Sequence, residues 1–170
     1  LPPVKLSHRG LGEIDVADTH SIAVLLFGYV AQGGGLFDAA PWLLALPLGL
    51  SVFPAILLSG VPDHAADRAA GKETLVVKLG IGRSWGLAAL FVVLAVLAAL
   101  VLWLGAGLAA LRGLGLFAGV HAYFLIRQIW REAQKPAAAR RIDGLMVLAL
   151  SFILWFGLVP LLNLSWLSSP

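Results

Sequence analysis

The sequence predicts an all-α fold, a polytopic membrane helix bundle with five transmembrane helices, and three observations carry that prediction. Hydrophobic residues make up 60% of the 170 and charged residues only 12%, with a mean hydropathy of +0.93, well outside the range of soluble domains. The apolar residues gather in runs long enough to cross a hydrocarbon core of roughly 30 Å. The charges fall between those runs, and residues 1–170 read as a single transmembrane domain.

Residues 1–12 form a basic opening segment with Pro and Gly, after which the first apolar run extends over about 14–31. Its first turn carries Asp15, Asp18 and His20. Carboxylates are mildly stabilised at a helix N-terminus, which suits Asp15 as an interfacial residue. Asp18 sits a turn deeper and is the candidate for binding an acceptor or a metal, because ionisable groups at membrane depth are costly. The Gly-rich interval 32–41 contains Asp38 and reads as an exposed turn. The second span, 42–61, holds Pro47 and Pro54, which are expected to kink it.

Residues 75–83, with two glycines, Lys78 and Arg83, read as a loop. The third span, 84–104, is uncharged and expected to face lipid; the fourth, 113–130, contains His121 and Tyr123. A histidine inside a membrane helix more often finds a partner in the bundle than a catalytic role. The most basic loop follows, and the fifth span covers 145–164. Trp42, Trp85, Trp130 and Trp166 fall near span ends, where interfacial aromatics are expected.

Eleven of the twelve Lys and Arg residues fall in loops on one side of such a bundle, leaving only Arg112 opposite. The positive-inside rule makes that side cytoplasmic, and an integral protein of the cytoplasmic (plasma) membrane is expected. The net charge of +3 and pI near 9.7 therefore report topology, and no nucleic-acid partner is expected. There is no cysteine, which excludes disulfides and thiolate metal sites.

Between the second and third spans lies Pro62-Asp63-His64-Ala65-Ala66-Asp67-Arg68-Ala69-Ala70-Gly71-Lys72-Glu73-Thr74-Leu75, with three of the nine acidic residues. On a helix, Asp63 and Asp67 share a face with Cβ atoms roughly 5–6 Å apart, within reach of one hard cation such as Mg²⁺. Arg68 and Lys72 add positive charge to the same patch, a combination that suits a metal-bound diphosphate. The bland alternative is a solvated, salt-bridged helix end, and spacing alone favours it. The apolar surroundings favour the functional reading.

The pattern Asp63-x-x-x-Asp67-Arg68-x-x-Gly71-Lys72-x-Thr74-Leu75-x-Val77-Lys78-Leu79-Gly80 resembles the second aspartate-rich motif of the UbiA superfamily of intramembrane aromatic prenyltransferases. The opening Pro2-Pro3-Val4-Lys5-Leu6-Ser7-His8-Arg9-Gly10-Leu11-Gly12-Glu13 is similar to the segment before the fifth helix in the 1,4-dihydroxy-2-naphthoate polyprenyltransferase branch, which serves menaquinone and phylloquinone biosynthesis. The resemblance implies the C-terminal half of a roughly nine-helix enzyme, consistent with a chain that opens at Leu1 and has its one methionine at Met146. It implies Asp63 and Asp67 as catalytic metal ligands for Mg²⁺, Arg68 and Lys72 as diphosphate-binding residues, and a polyprenyl diphosphate and an aromatic acceptor as substrates. The family's first motif, of the N-D-x-x-D-x-x-x-D type, has no counterpart here, so the N-terminal half of the same enzyme is an expected partner and this piece alone is expected to be inactive. Asp18 and His20 depart from the branch's fifth helix, as does Ser59-Gly60-Val61-Pro62 before the motif.

Two other classes stand beside this reading. A CDP-alcohol phosphotransferase would also use paired aspartates, but its Asp-Gly-x-x-Ala-Arg element is missing. A non-catalytic scaffold or transporter fragment would make the acidic stretch a solvated helix end.

Overall fold

The computed structural model describes residues 6, 10–136 and 139–167, the last three by backbone alone. Those residues fold into helices, and every long apolar run became one. The first run comprises α1 (Gly12–Asp18), a π-helical turn (Thr19–Ala23) and α2 (Val24–Ala31). The second is α3 (Ala39–Ala69); a five-residue α4 (Leu75–Leu79) and α5 (Ile81–Ala106) follow. A 3₁₀ turn (Ala109–Leu111) leads to α6 (Leu114–Ala133), and α7 (Asp143–Leu167) ends the bundle.

Four helices are long and apolar enough to cross a membrane, over 12–31, 39–69, 81–106 and 143–164. The expected fourth span, α6, is a 20-residue helix but is not among them, because its last two turns carry Arg127, Arg131 and Glu132. One face packs against α5 and α7, while Leu116, Phe117, Val120, Tyr123 and Phe124 on the other are exposed.

The core is built on the contact between α3 and α5. On α5, Trp85, Ala88, Val92, Ala95 and Ala99 recur every three or four residues and are all buried, as is Ser84 beside them, so one face meets α3 and its neighbours. Small residues let helices approach closely where lipid tails supply no hydrophobic drive for association. This corrects the expectation of a lipid-facing scaffold for 84–104: only the opposite face, with Leu90, Leu97 and Leu104, is exposed. Trp85 is likewise buried in the core with Arg140 over its ring, whereas Trp42 and Trp130 are exposed; the Trp166 side chain lies outside the described residues.

α3 runs unbroken through Pro47, Pro54 and Pro62. The aspartate stretch therefore belongs to the last two turns of α3, with no short helix of its own. Residues 75–83, expected as a loop, form α4 and the first turn of α5, separated at Gly80. Thr74 nucleates α4 by accepting from Val77 N–H at 3.3 Å.

The ends of α3 and α6 and the starts of α1, α4, α5 and α7 meet at one end of the bundle. Leu75 N–H donates to Glu13 Oε1, and Arg140 lies over Trp85. Buried Glu132 ties down the basic loop, accepting from Lys135 Nζ at 2.7 Å and Arg141 N–H at 3.1 Å. At the other end Asn163 donates to the Ala110 and Arg112 carbonyls.

Two glycines on α3 let its neighbours come close. A Cβ at Gly49 would lie 2.9 Å from Ser21 Oγ, and one at Gly60 would lie 2.9 Å from Val76 Cγ2. Val76 is fully buried, so it has little room to yield. Gly60→Ala should therefore lower stability by about 1–3 kcal/mol through overpacking, read as a lower thermal midpoint in detergent; an unchanged midpoint would show that α4 moves away freely.

Candidate functional site

Asp63 and Asp67 occupy successive turns on one face at the C-terminal end of α3. Carboxylates are disfavoured there by the helix dipole and by each other, so the arrangement calls for positive charge. The chain supplies some at once. After α3, Gly71 adopts φ of +68°, its N–H donates to Arg68 O at 3.2 Å, and Lys72 N–H donates to Asp67 O at 2.9 Å. This is a Schellman turn, which needs a left-handed residue where Gly71 stands. It reverses the chain so that Lys72 Nζ meets Asp67 Oδ1 at 2.6 Å. Asp67 is mostly buried in this pair, while Asp63 and Arg68 are exposed.

Ten residues of sequence, 63–72, thus bring Asp63, Asp67, Arg68 and Lys72 to one helix end. Among the described residues no group of three or more His, Asp or Glu side chains is placed to hold a metal. Two carboxylates nevertheless fit Mg²⁺, which is usually held by one or two of them with water and substrate phosphates completing its octahedron.

Asp18 is placed elsewhere. It lines a groove between the first helix and α3 whose α3 wall includes Ala45, Gly49 and Phe53. Phe53 is ten residues from Asp63, about 15 Å along the axis at 1.5 Å per residue. His121 has both ring nitrogens engaged: Trp155 Nε1–H donates to Nδ1 at 3.0 Å, and Nε2 lies 2.9 Å from Leu148 O, to which it donates.

One carboxylate at the site was not singled out from sequence. Glu13 is buried on α1, and its Oε1 accepts from Leu75 N–H at 2.6 Å. Its Oε2 is buried and has no hydrogen-bond partner among the described residues. Glu13 thereby ties the first helix to the segment that follows Lys72, and Lys78, which pairs with Glu73 at 3.0 Å, comes close to Gly10 in the same corner. The only signal in the sequence was a Glu just ahead of an apolar run; its partner lies 62 residues away. Glu13→Ala should lose about 1.5–3 kcal/mol, the value of a hydrogen bond to a charged group, and hydrogen exchange at the Leu75 amide should accelerate. Slow exchange at Leu75 in that variant would show that α4 is held by other contacts.

The Lys72 amino group is held above its ordinary value of 10.5, first by its hydrogen bond to Asp67 and next by the charge of that carboxylate, with Asp63 adding a smaller share. A raised folded-state value means that the pair's contribution is whole below pH 10.5 and is lost as pH climbs through the raised value. In an NMR titration of Nζ, Asp67→Asn should bring the Lys72 midpoint down toward 10.5, while Glu73→Gln should leave it in place. A midpoint insensitive to Asp67→Asn would show that the pair does not persist in solution.

Comparison with known families matches the UbiA prenyltransferase family over residues 19–149, a stretch that contains Asp63, Asp67, Arg68 and Lys72 and begins one residue after Asp18. No curated protein and no solved structure matches the chain. A helical bundle with four helices long and apolar enough to cross a membrane, a charged helix end carrying paired aspartates, and a family match over most of its length agree: the chain belongs to the UbiA prenyltransferase family.

Proposed function

We propose that this chain is the C-terminal half of a Mg²⁺-dependent enzyme that moves a polyprenyl group from its diphosphate to an aromatic acceptor, in quinone biosynthesis of the menaquinone type. The observation that carries the reading is the Asp63/Asp67 face with Lys72 folded back onto it by the Schellman turn. Asp63 and Asp67 would hold Mg²⁺, which supplies positive charge to the diphosphate leaving group. Lys72 and Arg68 would take the remaining diphosphate charge, Lys72 moving from Asp67 to a phosphate oxygen. The N-terminal half would bring the first aspartate-rich motif, and positive-inside topology would turn the site toward the cytoplasm. Naphthoate-type acceptors follow from the opening segment's resemblance. The second reading, a scaffold whose acidic stretch only closes a helix, draws on the Asp67–Lys72 pair itself.

In the full-length enzyme, Asp67→Asn should cut prenyl transfer about a hundredfold or more, the rate equivalent of the several kcal/mol a metal contributes at a leaving group. Lys72→Ala should mainly raise KM for the prenyl diphosphate. If the stretch only closes a helix, both variants would transfer normally and change stability by about 1 kcal/mol or less; near-normal turnover of Asp67→Asn would remove the reading.

A further inference from the structure

The face of α3 that carries Asp63 continues into the bundle. Val52, Ile56, Ser59 and Asp63 follow one another at intervals of three or four residues, so they line one stripe. The first three, with His20 of the π-helical turn and Met146 and Leu150 of α7, enclose a groove of about 310 Å³. That volume is at the lower end of small-molecule sites. Ser59 is one turn, about 6 Å along the axis, from Asp63.

The groove is apolar apart from two side chains, and these differ in what they can offer. Ser59 Oγ spends its proton on Ile56 O at 2.8 Å. His20 Nδ1 lies 2.8 Å from Val16 O. A carbonyl oxygen can only accept, so Nδ1 carries the proton and neutral His20 keeps a lone pair on Nε2. That nitrogen has no partner among the described residues. The local backbone is built for this: Thr19, His20 and Ser21 each donate to the carbonyl four residues back, at 2.7, 2.8 and 2.6 Å, where the helix widens into its π turn. Such turns recur at functional sites because they re-aim side chains out of the regular ladder.

We infer that this groove seats a hydroxylated aromatic ring, with its hydroxyl donating to His20 Nε2. The inference rests on the transferase reading for its occupant and deepens it, naming His20 as the residue that selects the acceptor. A prenyl tail would fill an apolar groove without using a fixed hydrogen-bond acceptor, whereas a phenol uses both the apolar walls and the nitrogen. Through Ser59 the groove comes within one turn of Asp63, the end of α3 to which the transferase reading assigns the donor's diphosphate. Asp18 lines the other groove, whose α3 wall ends about 15 Å from Asp63.

The test compares 1-naphthol with naphthalene binding to the whole protein in detergent micelles, while the His20 ring is followed by NMR. Wild type should bind 1-naphthol about tenfold or more tightly than naphthalene, and only 1-naphthol should shift the His20 ring signals. His20→Phe, which keeps a flat ring but no acceptor, should erase the preference; His20→Gln, which can donate to Val16 and still accept, should retain part of it. Matching thermal midpoints show that the variants fold. Equal binding of the two probes by wild type, a preference that survives His20→Phe, or a His20 signal unmoved by 1-naphthol would each overturn the inference. Failure of prenyl transfer with the naphthol preference intact would instead remove the transferase reading and leave this site standing.

Discussion

The length of α3 is the constraint on which the rest depends. Its 31 residues span about 46 Å at 1.5 Å per residue, while the hydrocarbon core is roughly 30 Å thick. A helix in lipid must satisfy its backbone internally, so it cannot stop in mid-membrane, and the surplus has to emerge. The three prolines do not interrupt it. One continuous helix consequently carries the apolar groove in its buried part and the aspartate pair on its last turns. Val52, Ile56, Ser59 and Asp63 follow one another at three- and four-residue intervals along it, so the helical repeat puts the groove residues and Asp63 on one face. A separate short helix for the motif would have left that alignment to a loop.

Everything packed on α3 is held in register by close contacts. Gly60 admits Val76 and so seats α4 beside the end of α3; Gly49 admits Ser21 and seats the first helix. Glu13 then joins the two neighbours through the Leu75 amide. The stretch between Gly71 and Leu75 is therefore held at both ends, by the Schellman turn and by a carboxylate from α1. The Lys72 side chain, by contrast, is partly exposed, with its tip paired to Asp67. Backbone order with a movable cation is what an anion-binding position needs.

Much of this was legible in the sequence because it is periodic or local. Apolar runs give the helices, and the Asp63, Asp67, Gly71, Lys72 spacing is a helix end whose geometry follows from Gly71 alone. Boundaries were less legible where helix and loop chemistry overlap: Leu75–Leu79 carries Lys78 and precedes a glycine, yet Thr74 and Glu13 cap it into a helix. The burial of Trp85 could not be read, since a Trp near a span end suits lipid headgroups equally well. α6 was read as a span from its apolar first half, although its second half is charged. Contacts between residues far apart in sequence, such as Glu13 with Leu75 or His20 with the α3 groove, leave no local signature at all. His20 was visible only as a polar residue out of place.

The two aspartates are not equivalent, and their difference bears on how the site would work. Asp67 already has a cation at 2.6 Å and gives up little to a metal unless Lys72 leaves. Asp63 is exposed and has no ion-pair partner among the described residues, so a metal gains its charge without breaking a contact. If the pair holds Mg²⁺ as proposed, a dication arriving with a diphosphate would resolve the asymmetry: Asp67 would exchange Lys72 for the metal and Lys72 would gain a phosphate oxygen, so that no charge would be stranded. A dication arriving alone would have to displace Lys72 with nothing to receive it. Binding of the metal and of the diphosphate should therefore be mutually reinforcing, each raising the affinity for the other by the same factor, as linkage requires. Replacing Lys72 by an uncharged residue removes the internal competitor, and so should weaken that coupling while leaving Asp67 more open to the metal alone.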